Sequence, residues 1–255
     1  MFESIKGKRV LVTGASSGIG EATAKIFSEH GALVGVHYNA NLKAAREVAE
    51  YCRKKAGRAE IFQADLTRKK AGENLIKTFV KKFGGIDVLV NNAGSCREYK
   101  HWNELNENDL DETFTLHAKA PFFLMQEAFK DMKKRKWGRI INVSTVSIKH
   151  AGTQNMHYYS SKAALEAMAK GLVREGVKHN VLVNVVRCGI IDTPMRSKIR
   201  GYPGNNDPKK LAERIALVPL NRMGQPDEVA RMVLFLASAG GDFITGETFS
   251  VAGGE

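Results

Sequence analysis

Tyr158 and Lys162 stand four residues apart in the run Tyr158-Tyr159-Ser160-Ser161-Lys162, within a stretch of helical character. At that spacing a phenol and an ammonium share one helix face. A free phenol is too weak an acid to act near neutrality, but a cation held beside it favours the phenolate and brings its proton within catalytic range. Such a pair suits the interconversion of a carbonyl and an alcohol. Taken alone, the pattern is better explained by a packed tyrosine with a solvated lysine one turn on, so the rest of the chain has to decide.

A second chemical motif lies near the N-terminus. The apolar run Arg9-Val10-Leu11-Val12 leads into Thr13-Gly14-Ala15-Ser16-Ser17-Gly18-Ile19-Gly20, and 21–30 reads as helix. Strand, glycine turn and helix in that order let backbone N–H groups and a helix N-terminus meet a pyrophosphate, because side chains at the glycine positions would block the approach. The spacing Gly-x-x-x-Gly-x-Gly is neither the Gly-x-Gly-x-x-Gly fingerprint nor the phosphate loop that ends in Gly-Lys-Ser/Thr.

The elements that must carry these motifs alternate. Apolar stretches at 33–37, 61–63, 88–91, 139–144, 182–186 and 248–251 predict strands, and helical patterns fall at 42–55, 68–82, 108–134, 157–179 and 226–237. Alternation of this kind predicts a doubly wound, Rossmann-like α/β fold with a parallel sheet covered on both faces. Ligands of such folds sit beyond the carboxyl ends of the strands. Thr13-Gly14, Asp65, Asn91-Asn92-Ala93-Gly94, Ser144-Thr145 and Gly189 each follow an expected strand, so they converge on one edge.

The chain has 255 residues, 43% of them apolar and 26% charged, with no linker, which fits one domain over 1–255. No apolar run approaches the ~18 residues that span a bilayer, and the first strand begins near Arg9, so the reading is a cytoplasmic protein with no membrane partner. Cys52, Cys96 and Cys188 are odd in number and unlike any metal spacing; reduced thiols and no metal are expected.

Together, Thr13-Gly14-x-x-x-Gly18-Ile19-Gly20, Asp65-Leu66-Thr67, Asn91-Asn92-Ala93-Gly94, Tyr158-x-x-x-Lys162 and the tail from Phe243 to Gly254 resemble the short-chain dehydrogenase/reductase family, in order and from about Gly7 onward. The nearest general likeness is to the 3-oxoacyl carrier-protein reductase type. The resemblance implies that Tyr158 is the acid in reduction and the base in oxidation, and that Lys162 lowers its pKa and holds the nicotinamide ribose. It also implies that Gly14, Ser16, Gly18, Ile19 and Gly20 enclose the pyrophosphate, that Asp65 and Leu66 meet the adenine, and that Asn91, Ala93 and Gly94 line the nucleoside path. Ile191 and Thr193 would reach the carboxamide. A turn-forming or capping role at Asp65 and Asn91 is compatible with these contacts.

Three positions depart from the family pattern. Thirteen residues before Tyr158, where a serine usually holds the substrate oxygen, stands Thr145, with Ser144 and Ser147 as lesser candidates. A threonine hydroxyl donates the same hydrogen bond, with a stiffer rotamer and a methyl in the pocket. His117 takes the place of an asparagine that positions a water in a proton relay; relay and plain packing stand as equal readings. Cys188 replaces a proline before Gly189, so the substrate-covering loop at about 189–220 loses a fixed φ and gains an expected mobility, with Pro203-Gly204-Asn205-Asn206 as its exposed tip. That loop carries Met195, Arg196, Lys198, Arg200, Lys209, Lys210 and Arg214, cations that suit an anionic substrate or serve only as a solvated face.

At the end of the second strand, where relatives that prefer NAD carry aspartate, Tyr38 is followed by Asn39, Ala40 and Asn41, with no carboxylate before Glu47. Ser17, His37, Asn39, Asn41 and Lys43 offer hydrogen bonds or charge, so NADP(H) is favoured over NAD(H). The net charge of +12 is densest in 130–139, a run with one aromatic residue that reads as a solvated helix end, so no nucleic-acid partner is expected. The resemblance implies a homotetramer built on the helices at 108–134 and 157–179 and on the C-terminal strand. The combined reading is an NADP-preferring oxidoreductase acting on a ketone or secondary alcohol, with an acyl thioester or acyl carrier protein substrate slightly ahead. The alternatives are an NAD-dependent sugar, steroid or small-ketone dehydrogenase, and a dinucleotide-binding sensor or scaffold of reduced catalysis.

Overall fold

The computed structural model describes residues 2–202, 205 and 207–255; Pro203, Gly204 and Asn206 of the expected loop tip lie outside the described residues. Seven strands form one sheet: β1 (Arg9–Val12), β2 (Leu33–Tyr38), β3 (Ala59–Gln63), β4 (Val88–Asn91), β5 (Gly138–Thr145), β6 (Val181–Cys188) and β7 (Thr248–Val251). Their order is β3-β2-β1-β4-β5-β6-β7 and every pairing is parallel. Between them run α1 (Gly18–Glu29), α2 (Leu42–Ala56), α3 (Ala71–Phe83), α4 (Glu107–Phe114) and α5 (Ala120–Arg135). The second half adds α6 (Ser147–His150), α7 (Met156–Gly176), α8 (Pro194–Lys198), α9 (Pro208–Ala216) and α10 (Pro226–Ala237).

Side chains alternate across the sheet with the two-residue period of a strand. Val10 and Val12 of β1 enter a core with Phe27, Val34, Val36 and Val233, beneath α1, α2 and α10. Leu11 points the other way, into a core with Phe79, Leu89, Leu124 and Ile140, beneath α3, α5 and α7. Because both faces are covered, the strands read as nearly unbroken apolar runs. The chain winds outward from β1 to β3, crosses to β4 and winds outward again, so the direction reverses between β1 and β4. A crevice opens at such a switch point.

The single helix expected over 108–134 is divided. α4 passes into a π turn at Thr115–Lys119 before α5 continues. Pro121 has no N–H to give the His117 carbonyl four residues back, and the turn widens there, with the Ala120 N–H bonding to the Thr115 carbonyl instead. The helix expected from 157 begins at Met156, after Asn155 in a left-handed conformation (φ 54°).

The segment 189–220 holds α8 and α9 and is joined to the loop after β4. Tyr99 N–H donates to the Arg200 carbonyl (2.8 Å), Arg200 N–H to the Arg97 carbonyl (3.0 Å), and the Arg200 guanidinium grips both oxygens of Glu98.

Candidate active site

The carboxyl ends of β1, β4, β5 and β6 open on a cavity of about 1040 Å³. One side is the glycine turn. Gly14 and Gly18 have left-handed backbones (φ 65° and 57°), and a Cβ on Gly14 would lie 2.9 Å from the Ala93 Cα, so no side chain fits between β1 and β4. Ser17, Gly18 and Ile19 face the cavity at the start of α1, and the Ser17 side chain makes no capping bond, which leaves the first N–H groups of the helix open.

The turn is fastened from two directions. Thr13 Oγ1 accepts from the N–H groups of Asn92 (2.9 Å) and Ala93 (3.0 Å), and Asn92 Nδ2 donates to the Thr13 carbonyl (2.9 Å). On the other flank the Gly14 N–H donates to His37 Nδ1 (2.9 Å), and the opposite ring nitrogen, which must then carry the proton, meets the Ala64 carbonyl at 3.1 Å. Burial lowers the His37 pKa to about 4, so this imidazole is a neutral rivet. The sequence offered His37 as a donor toward a cofactor phosphate; the structure turns it inward, where the Gly14 N–H and the Ala64 carbonyl take up both ring nitrogens.

Tyr158 lines the cavity, and its hydroxyl has no hydrogen-bond partner among the described residues. Lys162 also lines it but is almost wholly buried, and its ammonium donates to the Val143 carbonyl (2.9 Å) instead of meeting the phenol. Burial lowers the Lys162 pKa to about 8 and raises that of Tyr158, whose phenol is also disfavoured as an anion by the Cys96 and Cys188 thiols. The helix spacing expected of this pair is present. Within the chain alone, burial is the larger effect on the phenol.

Thr145, the last residue of β5, faces the cavity and shares a hydrogen bond with Ser147 Oγ (3.0 Å). Ser144 is committed elsewhere: its hydroxyl donates to Glu166 Oε1 (2.6 Å), and Glu166 is held by Arg187 through two bonds of 2.8 and 2.6 Å. This trio joins the ends of β5 and β6 to α7 one turn beyond Lys162.

His117 is fully buried in the π turn and lies edge-on to the Tyr158 ring, with centroids 5.2 Å apart. Its Nε2 accepts from the Ser95 N–H (3.1 Å), so the ring proton sits on Nδ1 and faces Ser161 Oγ (3.1 Å), which donates to the Tyr158 carbonyl (2.7 Å). Burial first, then the charge of Lys162, holds its pKa well below 6.5. A Cβ on Gly94 would lie 3.1 Å from His117 Nε2 and 3.6 Å from Lys162 Nζ, so any larger residue there would press on the imidazole.

The cavity brings together Gly14, Ser17, Gly18, Ile19, Ala93, Gly94, Thr145, Tyr158, Lys162, Ile191 and Thr193. Other expected contacts lie outside its lining. Tyr38 and Leu66 are buried in the two cores, and Gly20 packs against the Gly14 carbonyl and Asn92. Asn91 points along the sheet to Asn142 (2.8 Å), while Asp65 closes a turn by accepting from the Thr67 N–H (3.0 Å) and hydroxyl (2.6 Å). Asn39 is exposed and Ser16 half-buried. The sequence reading gave no role to Asn92, Ser161, Glu166 or Glu255; the doubled asparagine of Asn91-Asn92 was the available signal for the first. Among the described residues no cluster of His, Cys, Asp and Glu suits a metal, and no helix is long and apolar enough to cross a membrane.

A glycine cradle with an open helix start fits a pyrophosphate, and the Tyr158–Lys162 wall of the same cavity fits the nicotinamide end, which defines a dinucleotide-dependent oxidoreductase. Comparison with known proteins agrees. Residues 14–255 match the family model described as enoyl-(acyl carrier protein) reductase. The chain is 34% identical over 253 residues to the 3-oxoacyl-[acyl-carrier-protein] reductase of Thermotoga maritima, covering 98% of each chain. It is similar to the structure of the angucycline C-6 ketoreductase LanV with bound NADP (TM-score 0.87, 34% identity, 98% and 96% covered). It is likewise similar to a 3-oxoacyl (acyl-carrier-protein) reductase of Agrobacterium tumefaciens C58 with NADP bound (TM-score 0.91, 29% identity, 100% and 96% covered). The chain belongs to the short-chain dehydrogenase/reductase family, NAD(P)-dependent oxidoreductases that act on carbonyl and alcohol groups.

Proposed function

We propose that this protein is an NADPH-preferring ketone reductase in which Tyr158 is the proton donor. The observation that carries the reading is the unpartnered Tyr158 hydroxyl beside Thr145 and Lys162 in the cavity that begins at the glycine turn. When bound, NADPH supplies the hydride. Thr145 holds the substrate oxygen by a hydrogen bond, and Tyr158 gives its phenolic proton to that oxygen as charge develops there, so the ketone leaves as a secondary alcohol. Lys162 orients the ribose and, as a buried cation, stabilises the phenolate left behind. His117, with both ring nitrogens engaged, keeps α7 and the Ser95 loop in register rather than passing protons.

NADPH is favoured because Tyr38, buried at the end of β2, is followed by Asn39, Ala40 and Asn41, and no carboxylate there would repel a 2′-phosphate. NADP in the solved relatives supports this choice. An acyl thioester, free or on a carrier protein, is the favoured substrate type on the strength of the Thermotoga relative. A homotetramer is supported by Leu110, Phe122 and Met168, large apolar side chains exposed on α4, α5 and α7.

Nicotinamide fluorescence on titration with NADPH and NADH, followed by absorbance decay on acetoacetyl-CoA and simple ketones, tests the reading. Tighter NADPH binding with turnover is expected. Binding without turnover on any ketone would overturn it.

A further inference from the structure

The outer part of the cavity holds an unusual set of charges. Arg196 of α8 and Lys210 and Arg214 of α9 line it with Glu255, the one carboxylate among the described lining residues. Buried side-chain atoms without a hydrogen-bond partner are few in this chain, yet Arg196 Nε, Arg214 Nη1 and Glu255 Oε2 are among them. Leaving such groups unpaired is costly, more so when they are charged.

The Arg214–Glu255 pair is only half made. Arg214 Nη2 meets Glu255 Oε1 at 2.5 Å, and the Glu255 side chain is only 6% exposed. A carboxylate facing a guanidinium squarely would engage two nitrogens with two oxygens. Here the second carboxylate oxygen lies over the end of β6, where a Cβ on Gly189 would be 3.0 Å from it. Glu255 is thereby occupied in orienting Arg214, whose other terminal nitrogen is buried without a partner. Arg196 is also under-used: its one hydrogen bond, to Asn205 Oδ1, is long at 3.4 Å. Lys210 is met by Asp207 at 4.0 Å and Arg214 by Glu255, which leaves Arg196 without a carboxylate, so a further carboxylate is accepted there without net repulsion.

We propose that the substrate is a ketone that carries its own carboxylate, and that Arg196 and Arg214 hold this group while the ketone lies at Tyr158. The inference rests on the ketone-reductase reading above and puts an oxo acid, whose carboxylate is free, in place of the acyl thioester. Arginine suits the task because its fork matches a carboxylate and stays charged at every working pH.

The test compares 3-oxobutanoate with its methyl ester, each with NADPH, and reads the ratio of their kcat/KM values. The acid should be preferred, and Arg214→Met and Arg196→Met should each lower the ratio by roughly ten- to a hundredfold, the size of one or two charged hydrogen bonds. If Arg214→Met fails to fold, Arg214→Lys, which keeps the charge and loses the fork, should lower the ratio by less. A ratio near one in the parent, or a ratio that neither variant moves, overturns the proposal. If neither compound turns over, the reductase reading fails first, and calorimetric titration of the acid into the protein decides about the anion site. Binding that Arg214→Met abolishes supports the site, and no binding overturns it.

Discussion

Apart from the Glu166–Arg187 pair at the ends of β5 and β6, the two edges of the sheet treat buried charge differently. At the amino edge, ion pairs are completed within the chain. Asp87 is 5% exposed and is met by Arg9 at 2.7 Å and Arg135 at 2.5 Å, while Arg135 also pairs with Asp131 and Arg139 with Asp242, each at 2.7 Å. Arg139 Nε is the exception there. The other unpartnered buried atoms belong to Asn91, Asn142, His157, Arg196, Arg214 and Glu255, which lie toward the carboxyl edge and its lid. An edge that satisfies its own polar groups contributes stability, and one that leaves them open is completed by a ligand. The basic run at 130–139 belongs to the first kind, since Arg135 and Arg139 turn inward to carboxylates.

The comparison predicts that single substitutions separate along it. Tyr158→Phe, at the carboxyl edge, removes a hydroxyl that no residue uses, so kcat should fall by about 10²–10⁴ with the melting temperature and NADPH affinity kept. Thermal unfolding beside steady-state rates is the check, and a variant that melts early would mean the phenol is structural. Asp87→Asn, at the amino edge, leaves two guanidinium groups without their shared anion. It should cost about 3 kcal/mol, the low end for breaking a buried pair because both arginines keep some exposure to water. For a chain of this size that lowers the melting temperature by about 6–12 °C. The Michaelis constant for the ketone should stay where it was; a change there would break the division between the edges.

How much of this was legible in the sequence depends on distance along the chain. Thr13 to Gly20 and Tyr158 to Lys162 are short runs whose spacing marked them, and the ordered motifs along the rest of the chain decided for chemistry over packing. The central strands were legible because burial on both faces favours apolar runs such as Val10-Leu11-Val12 and Val88-Leu89-Val90. What failed to show was which way a single polar residue points. Asn91 and Asn92 are adjacent, yet one bonds across the sheet to Asn142 and the other fastens the glycine turn, a split set by strand pleating. His37 looked available to a phosphate and is instead the rivet of Gly14. The π turn arises from Pro121 acting on His117 within a helix whose periodicity looks continuous. Arg214 and Glu255 meet only because the lid and the C-terminal segment fold back together.

Acid should weaken the carboxyl edge through its buried histidines. His37 is lowered to about 4 and His117 also lies below 6.5, so the unfolded chain takes up protons that the folded chain refuses. Their contribution is whole above pH 6.5 and drains away as the pH falls toward 4, by up to about 3 kcal/mol for His37. Urea unfolding at pH 7.5 and pH 4.5 measures the loss, and His37→Gln should flatten it by a comparable amount. An unchanged slope would shift the acid sensitivity to groups elsewhere.

The smallest effect expected is at Thr145, and it sharpens the picture of the open edge most. Thr145→Ser keeps the hydroxyl that meets Ser147 at 3.0 Å and removes a methyl that stiffens its rotamer. The donor then samples more orientations, a cost below 1 kcal/mol, so kcat should change by no more than about threefold. KM for bulkier ketones should fall, because the variant removes a methyl from the cavity that Tyr158 also lines. Thr145→Val, which keeps the shape and loses the donor, should instead cost about 10²–10³ in kcat. If valine is tolerated and Ser147→Ala is not, the substrate oxygen is held by Ser147, one of the two neighbouring hydroxyls, and Thr145 serves to aim it.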